Sequence, residues 1–277
     1  MYTLNVVVVL YNKLASESIA LCTLVDALDS IKSAGFYPKI YVWNNSPGFS
    51  QKLNDPSVEW IEGENNNLSY VYNNIAQRAL ISDRSFLMIS DDDTDYSTYD
   101  FSSNLLRLKS VLACSATLPE VGCFIPRIHS GGRLVSPGRR CLFKGKLLRR
   151  CDSGYISSVN LLGINSGILI TRSCYEKMYP LYDERLRFYG TDTDFFIRYQ
   201  AAFDYAYVLN ADLNHSLSED AQEDTEHALF RWADNLYALN LIFENRSLIF
   251  KSSMRFYYFL VKAKLSLKFR DYRFMML

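Results

Sequence analysis

A short apolar segment that ends in three consecutive aspartates is the feature that most constrains the fold. Residues 86–89 (Phe-Leu-Met-Ile) have strand character and lead to Asp91, Asp92 and Asp93. An apolar run that ends abruptly in acids predicts a buried strand that delivers charge to one edge of a sheet. Because adjacent carboxylates repel, the cluster favours a bound cation, and Mg²⁺ commonly takes one or two protein carboxylates plus phosphate oxygens. The alternative is a solvated acidic turn in which Asp93 or Asp95 caps a following helix.

Strand-like and helix-like segments alternate over the first 90 residues. Segment 4–10 is almost continuously apolar and β-branched, which is typical of a strand buried on both faces of a parallel sheet. Further strands are predicted at 39–43 and 58–61, and helices at 16–34 and 68–80. This alternation predicts a doubly wound α/β sheet, in which ligands bind beyond the carboxyl ends of the strands.

Polar residues follow the predicted strand ends. Tyr11 and Asn12 follow the first strand, Asn44 and Asn45 follow the second, and the aspartates follow the strand at 86–89. Because parallel strands end at the same edge of a sheet, we expect these side chains to converge on one site.

The pattern continues less regularly after residue 100. Helices are predicted at 101–113, at 173–178 and from 191 to about 203, and strands at 122–128, 168–171 and 206–209. Thr191 or Asp192 is expected to cap the helix that follows Gly190. His215 follows the last strand, among strand ends that are already acidic, and is therefore a candidate metal ligand.

Residues 129–150 are rich in glycine and in basic side chains such as Arg139 and Arg140. We interpret this segment as a flexible basic loop. It either folds over an anionic ligand at the acidic site or is an ordinary solvated loop.

Composition narrows the class of protein. The chain has 277 residues, 49% of them hydrophobic, and 30 basic residues balance 30 acidic ones. A net charge of zero provides no overall attraction to nucleic acid, so no nucleic-acid partner is expected. Six cysteines without CxxC or Cys/His spacing indicate reduced thiols. Segment 5–10 has no basic region before it and no apolar run approaches roughly 20 residues, so we expect a cytoplasmic protein without a signal peptide or spanning helix.

The character of the chain changes at residue 226. We expect a catalytic domain at 1–225 and a helical extension at 226–277. Segment 246–277 carries eight Lys and Arg residues against one acid, Asp271, and is dense in aromatic residues. This composition favours an interfacial helix on an anionic, inner-membrane surface. The alternative is a helical hairpin docked on the catalytic domain or on a homodimer partner.

An ordered set of motifs resembles family 2 glycosyltransferases, most closely the rhamnosyltransferase-like branch of bacterial polysaccharide synthesis. The resemblance covers roughly residues 4–220. The motifs, in chain order, are Val7-Val-Val-Leu-Tyr11-Asn12, Tyr41-Val-Trp-Asn44-Asn-Ser-Pro47, Asn65-x-Asn-Leu-Ser-Tyr-Val-Tyr-Asn73, Asp91-x-Asp93, Asn165-Ser-Gly167, Tyr182-Asp-Glu184, Asp192-x-Asp-x-x-x-Arg198 and His215.

The resemblance implies a GT-A fold and an inverting, Mg²⁺- or Mn²⁺-dependent transfer from a nucleotide-diphosphate sugar to a glycan or lipid-linked acceptor. The products expected are surface polysaccharides such as O-antigen or capsule. The first candidate donor is dTDP-rhamnose, followed by a UDP-hexose or UDP-galactofuranose. The enzyme would be peripheral to the cytoplasmic membrane.

The resemblance also assigns roles to single residues. Asp93 would ligate the metal directly, Asp91 would lie nearer the ribose and a metal-bound water, and Asp92 would substitute in either role. Asp192 would be the catalytic base. The other roles are donor contacts by Tyr11, Asn12, Asn44 and Asn73, a late metal ligand in His215, and acceptor contact or support by Asn165, Ser166, Gly167, Asp194 and Arg198.

Arg198 and Asp194 are expected to pair with each other, four residues apart on a helix. Two positions depart from the family pattern. Asn44 stands where the family has an Asp, which leaves the choice of nucleotide open. Asn67 stands where a Gly is usual, and Asn tolerates the positive φ that such a turn requires.

Two other functions fit parts of the pattern. A nucleotidyltransferase also needs metal-bound carboxylates beside phosphates, but residues 11–15 contain no glycine for a phosphate-binding loop. A non-catalytic sugar-binding or assembly protein on the same scaffold is the second alternative. The intact set of Asp91, Asp93, Asp192 and His215 counts against it.

Overall fold

A computed structural model describes residues 1–46, 48–49, 51–114, 117–214 and 224–277. The strands among these residues are β1 (Tyr2–Leu10), β2 (Phe36–Asn44), β3 (Val58–Glu62), β4 (Ser85–Ser90), β5 (Val121–Ser130), β6 (Arg133–Ser136), β7 (Gly138–Cys141), β8 (Lys144–Leu147), β9 (Gly154–Ser157), β10 (Leu161–Leu162), β11 (Leu169–Thr171) and β12 (Tyr205–Asn214). The α-helices are α1 (Ile19–Asp26), α2 (Leu28–Ser33), α3 (Leu68–Ala79), α4 (Phe101–Ala113), α5 (Arg172–Met178), α6 (Thr191–Ala202), α7 (Thr225–Ile242), α8 (Leu248–Phe269) and α9 (Arg273–Met276).

A mostly parallel central sheet organises the molecule. Its order is β3-β2-β1-β4-β11-β5-β12-β9, with β6 paired to β5. Strands β1 to β4 are mutually parallel, β5 and β12 are parallel, and β11 and β9 run antiparallel to their neighbours. Leu10 pairs with Asn44 and Val8 pairs with Ser90, so the segments after β1, β2 and β4 leave the sheet at the same edge. The predicted α/β fold class is confirmed.

Strand β1 is buried on both faces, as its continuous apolar sequence predicts. Val6 and Val8 belong to the apolar layer beneath α1, α2 and α4, whereas Val7 belongs to the layer beneath α3, α5 and α6. Helices packed on both faces of the sheet therefore hold in place the edge at which the polar residues lie.

The single helix predicted at 16–34 is wrong. The chain forms a short 3₁₀ turn at Ala15–Glu17, then α1, then α2. Ser18 starts α1 by accepting a hydrogen bond from Leu21 N, and it also donates its hydroxyl to Asp92 O at 2.8 Å. The helix is interrupted at Ala27, whose N–H bonds Leu24 O as well as Thr23 O and thereby tightens the turn.

The flexible loop predicted at 129–150 is also wrong, because most of this segment is strand. Gly131 and Gly132 both have positive φ (53° and 75°) and make the two-residue turn between β5 and β6. Strand β7 then pairs with β8 and β10 in a small antiparallel sheet. Arg139 donates to Ser157 O at 2.6 Å, and Arg140 donates to Asn160 Oδ1 at 2.9 Å, so these two cations brace the small sheet.

The residues after 224 form two long helices, α7 and α8, completed by α9, and the three share a small apolar cluster of their own. Phe143, beside β8, packs against Phe250 and Tyr257 of α8. Lys144 lies 3.5 Å from the centre of the Tyr257 ring. The helical extension thus docks on the small sheet, which is the arrangement of the hairpin alternative. In the described parts of the chain, no helix is long and apolar enough to cross a membrane. The division at residue 225 stays a prediction.

Candidate active site

The aspartate cluster lies directly beyond the carboxyl end of β4, and all three side chains are half-buried. Asp91 Oδ2 accepts a hydrogen bond from Ser166 Oγ. Asp92 forms an ion pair with Lys13, with Nζ and Oδ2 2.5 Å apart. The main-chain oxygen of Asp92 accepts from Ser18 Oγ, so the cluster is anchored to the start of α1. Lys13 therefore neutralises one of the three like charges that the sequence places together.

The alternative in which Asp93 or Asp95 caps the following helix is wrong. Helix α4 begins at Phe101 and is capped by Asp100, whose Oδ1 accepts from Ser103 N at 2.9 Å. Asp95 accepts from Ser97 N in the turn before that helix. The acidic residues of the cluster are thus left at the sheet edge.

Asp192 lies in the first turn of α6, and its side chain is half-buried. The pKa of its carboxyl is raised to about 6, mainly because the group is buried and also because of the negative charge of Asp91, and the Thr193 N–H opposes the rise. Thr193 N donates to Asp192 Oδ1 at 2.6 Å. Ser166 bonds Asp91 and the adjacent Asn165 bonds Thr191, so the structure brings Asp91 close to the start of α6.

The residue that caps α6 differs from the prediction. Gly190, rather than Thr191 or Asp192, occupies the cap position, with a φ of +80°. A Cβ on Gly190 would lie 2.8 Å from Ala238 Cβ of α7, so both the backbone conformation and the close approach require glycine. Asp192 is therefore not the cap residue of α6 and belongs to its first turn.

The loop before β11 joins the two acidic segments. Asn165 donates from Nδ2 to Thr191 Oγ1 at 3.2 Å, and Ser166 donates to Asp91. Gly167 has a φ of +76°, and a Cβ there would lie 2.8 Å from Leu213 Cδ1. Segment 165–167 therefore sets the position of Asp91 relative to the start of α6.

Asn73 holds the chain segment before α6. Its Nδ2 donates to Tyr182 O at 2.9 Å and to Glu184 Oε1 at 3.0 Å, and its Oδ1 accepts from Tyr182 N. Tyr182 in turn donates its hydroxyl to Asn165 Oδ1 at 3.0 Å. Tyr72 lies buried beside this network, and burial together with the charges of Asp91 and Asp192 raises the pKa of its phenol.

Asn73, a predicted donor contact, belongs to α3 and is buried in the network just described. The predicted contacts that follow β1 and β2 lie at the sheet edge, where two are exposed and one is buried. Tyr11 and Asn12 are exposed after β1, and Asn12 N donates to Ser46 Oγ at 2.6 Å. Asn44 is buried, and its amide donates to Phe49 O at 2.8 Å and to Glu62 Oε2 at 2.7 Å. Tyr11 and Asn12 thus present free surface to a ligand, whereas the amide of Asn44 organises the turn after β2.

The expectation of a positive φ at Asn67 is wrong. Asn67 has a φ of −70° at the start of α3, and its Nδ2 donates to Glu184 O at 2.8 Å. At this edge the left-handed conformation occurs at Asn12, with a φ of 49°.

His215 lies outside the described residues. On the strand before it, the structure contains a cluster that was not predicted, in which Asp212 accepts from Arg127 Nη2 at 2.5 Å and contacts His129 Nε2 at 2.8 Å. A sequence signal for this cluster exists. Arg127 and His129 are two residues apart and so lie on one face of a strand, and Asp212 lies two residues before the end of the neighbouring strand.

The chemistry of the acidic edge fits a hard divalent cation. Among the described residues, no group of three or more His, Cys, Asp and Glu side chains could hold a metal ion. Asp91 and Asp93 nevertheless supply carboxylate oxygens, and Mg²⁺ is usually bound by one or two carboxylates plus phosphate oxygens of a substrate. The two residues therefore suit a metal that arrives with a phosphorylated ligand.

Asp194 and Arg198 form the predicted pair, four residues apart on α6. Arg198 Nε donates to Asp194 Oδ2 at 2.8 Å, and Nη1 donates to Pro180 O at 2.7 Å. Asp194 is buried, and burial raises its pKa despite the opposing charge of Arg198. The pair fastens α6 to the segment that precedes Tyr182.

Replacing Arg198 with methionine is expected to destabilise the fold by about 2–4 kcal/mol, because it leaves Asp194 buried without its partner. Urea denaturation measures this change. Lys32→Met, which breaks the exposed pair with Asp29, is the control and should cost less than about 1 kcal/mol. A loss no larger for Arg198→Met than for the control would show that the pair does not hold α6.

Asp234 of α7 is a site-supporting residue that sequence reasoning missed. It is buried, and its Oδ2 accepts from Tyr189 N at 2.8 Å and from Phe188 N at 3.3 Å. Arg185 extends the contact by pairing with Glu244 at 2.9 Å. The helical extension thus holds the segment that leads into Asp192. The sequence signal for this role is an acidic residue, Asp234, within the apolar stripe of the helix predicted after residue 226.

The comparisons with known proteins identify the fold. No family model and no curated protein matches this chain. Its fold is that of GT-A glycosyltransferases. The crystal structure of GalNAc-T7 with UDP, GalNAc and Mn²⁺ matches with a TM-score of 0.61 and 12% identity, over 99% of this chain and 56% of that one. A crystal structure of S. aureus TarS matches with a TM-score of 0.50 and 15% identity, over 87% of this chain and 44% of that one. The chain spans about half the length of each of these two proteins, and the predicted GT-A fold is confirmed.

Proposed function

We propose that this protein is an inverting, metal-dependent glycosyltransferase that moves a sugar from a nucleotide-diphosphate donor to a glycan or lipid-linked acceptor. The observation that carries the proposal is that two carboxylates, Asp91 and Asp192, belong to one site whose halves are linked through segment 165–167. Asp91 lies at the sheet edge beyond β4. Asp192 is half-buried at the start of α6, and its pKa is raised to about 6. A general base is most effective when its pKa lies near the working pH.

Asp91 and Asp93 are the proposed ligands of Mg²⁺ or Mn²⁺, and His215 is the proposed third ligand. Asp92 is less suited to this role because its carboxylate is paired with Lys13. A bound divalent cation would neutralise the negative charge that develops on the diphosphate leaving group. The GalNAc-T7 structure contains Mn²⁺ together with UDP, which supports metal dependence in general.

Asp192 is proposed to act directly on the acceptor. Its carboxylate takes the proton of the attacking hydroxyl as that oxygen forms a bond to the anomeric carbon of the donor sugar. The bond from that carbon to the diphosphate oxygen breaks, and its electron pair leaves with the nucleoside diphosphate. Attack from the face opposite the leaving group inverts the anomeric configuration. The Thr193 N–H bonded to Oδ1 orients the carboxylate for this step.

The donor nucleotide is proposed to lie against Tyr11 and Asn12, whose exposed side chains follow β1. An aromatic ring at this place offers a stacking surface for a base. A dTDP-sugar, with rhamnose first, and a UDP-sugar are the proposed donors, and the UDP in the GalNAc-T7 structure supports the second. The proposed products are bacterial surface polysaccharides.

The helical extension is proposed to bring the enzyme to the cytoplasmic face of the membrane as a peripheral protein. Helix α8 exposes Leu248, Ile249, Phe256 and Leu267 at 67–83% of their full surface, interspersed with lysines and arginines. Apolar residues beside cations favour adsorption to an anionic bilayer surface.

Activity is expected to depend on the ionisation of Asp192. The base must be charged, and its pKa is raised to about 6, so turnover should fall as the pH falls through that value. A single ionisation predicts about a tenfold lower kcat at pH 5 than at pH 7.5. The pH profile of kcat measures this directly. An acid limb centred near pH 4 instead would contradict the assignment of the base.

Release of nucleoside diphosphate from a panel of UDP- and dTDP-sugars tests the proposed function. We expect one donor to be turned over in the presence of Mn²⁺ and an oligosaccharide acceptor, with ¹H NMR showing the opposite anomeric configuration in the product. A product that retains the donor configuration would contradict the inverting mechanism. Turnover of no sugar donor, together with transfer of a nucleotidyl group, would contradict the proposed reaction.

A further inference from the structure

A cavity of about 630 Å³ lies within the helical extension, between α7, α8 and the last residues of the chain. Its volume falls in the range of small-molecule sites. We call it the extension cavity. It lies among elements that contribute no residue to the acidic edge, so the proposed transfer reaction does not account for it.

The charged lining of the extension cavity is mainly positive. Lys251, Arg255 and Lys262 line it from α8, and Glu244 is the acid in the lining. Glu244 is already paired with Arg185 outside the lining, with Oε1 and Nη2 2.9 Å apart. Within the described residues, neither Arg255 nor Lys262 has an acidic partner. The cavity therefore holds two cations, Arg255 and Lys262, without an acidic partner among the described residues, and its lining contains more basic than acidic side chains.

The rest of the lining is apolar. Leu236 and Leu239 of α7 face Met254 and Tyr258 of α8. Met254 is buried, and burial raises the pKa of Tyr258 to about 12. Phe259 also lines the cavity and is 53% exposed, so the apolar wall continues to the surface of α8. Cations beside an apolar wall that opens to the surface suit a molecule with an anionic head and a hydrocarbon chain.

We propose that the extension cavity binds one molecule of a membrane amphiphile that carries a phosphate headgroup. The phosphate lies between Arg255 and Lys262, and the first part of the hydrocarbon chain lies along the leucines of α7. This proposal deepens the proposed attachment to the membrane and rests on that part of the proposed function, not on sugar transfer. Under this proposal the protein attaches to the membrane through one saturable binding site and not only through a diffuse attraction to the charged surface.

Dodecyl phosphate, titrated below its critical micelle concentration into the full-length protein, is the probe. Isothermal titration calorimetry measures its affinity beside those of inorganic phosphate and dodecyl maltoside. The test variant is Arg255→Gln/Lys262→Gln. The matched control is Arg246→Gln/Lys264→Gln, which removes one arginine and one lysine from exposed positions outside the lining.

Dodecyl phosphate is expected to bind one to one, and the test variant should bind it about 30-fold more weakly, while the control stays within about twofold. Equal weakening by both variants would overturn the proposal in favour of general surface charge. Inorganic phosphate binding as tightly as dodecyl phosphate would overturn it in favour of a free-anion site, and no saturable binding would also overturn it. The titration needs no sugar donor, so a protein without transferase activity that passes this test would leave the cavity assignment intact.

Discussion

Replacing Asp192 with asparagine is expected to lower turnover by roughly 10²–10⁴-fold, because the amide keeps the shape of the side chain but cannot accept the proton of the acceptor hydroxyl. The Oδ1 of asparagine can still accept from Thr193 N, so the start of α6 should keep its geometry. Donor affinity should therefore change little. Steady-state kinetics and nucleotide binding, measured on the same preparation, separate the two effects.

The same variant is expected to be more stable than the natural protein at neutral pH. The carboxyl has an ordinary pKa of 3.8 and a folded pKa of about 6. The folded state therefore binds the proton more tightly, and ionisation costs stability as the pH rises between these values. The neutral amide of Asp192→Asn avoids that cost, so urea denaturation should show a gain of roughly 1–3 kcal/mol at pH 7 that disappears near pH 4.

Asp204→Asn is the matched control, since Asp204 is exposed just beyond the other end of α6. It should change neither turnover nor stability. An Asp192→Asn variant that keeps more than about a tenth of normal turnover would contradict the role of this residue as the base.

Replacing Asp234 with leucine is expected to lower kcat by about 100-fold, although Asp234 belongs to the helical extension. The substitution removes the acceptor for Phe188 N and Tyr189 N and so loosens the segment that ends at Gly190. A displacement of about 1 Å in a catalytic group can cost about 10²-fold in rate. Donor binding, which is proposed to depend on Tyr11 and Asn12 after β1, should be preserved.

Asp234→Asn distinguishes positioning from a general loss of stability, because its Oδ1 can still accept from the two N–H groups. We expect Asp234→Asn to recover most of the lost kcat and to keep the acid limb of the pH profile near 6. Glu226→Ala, which removes an exposed acid from the same helix, should have normal kinetics. An Asp234→Leu variant with normal kcat would show that the extension does not position Asp192.

Local signals in the sequence were sufficient for the parallel strands of the central sheet and for the edge at which polar residues follow them. The apolar runs of β1, β2 and β4 predict parallel strands, and the register of Leu10 with Asn44 places the polar residues at one edge. The Asp194–Arg198 pair follows from four-residue helical spacing and is confirmed.

Tertiary contacts explain the parts that were not predicted. Residues 129–150 contain many arginines, yet Arg139 and Arg140 donate to a main-chain carbonyl and a side-chain amide oxygen of residues 157 and 160, so the segment is ordered. Gly190 caps α6 because α7 approaches it closely, and no local pattern reports that approach. The contact of Asp234 with the main chain 45 residues earlier likewise depends on how the extension folds back. The role of His215 stays a prediction.

Binding of nucleoside phosphates tests the proposed donor site most directly. Thermal unfolding of the protein with UDP, dTDP, GDP or CMP, each in the presence of Mn²⁺ and of EDTA, is the measurement. We expect either UDP or dTDP to stabilise the protein in Mn²⁺ alone, by about 2.7 kcal/mol at 100 times its dissociation constant. Stabilisation by none of the four, or equal stabilisation in EDTA, would contradict a metal-dependent nucleotide-sugar transferase.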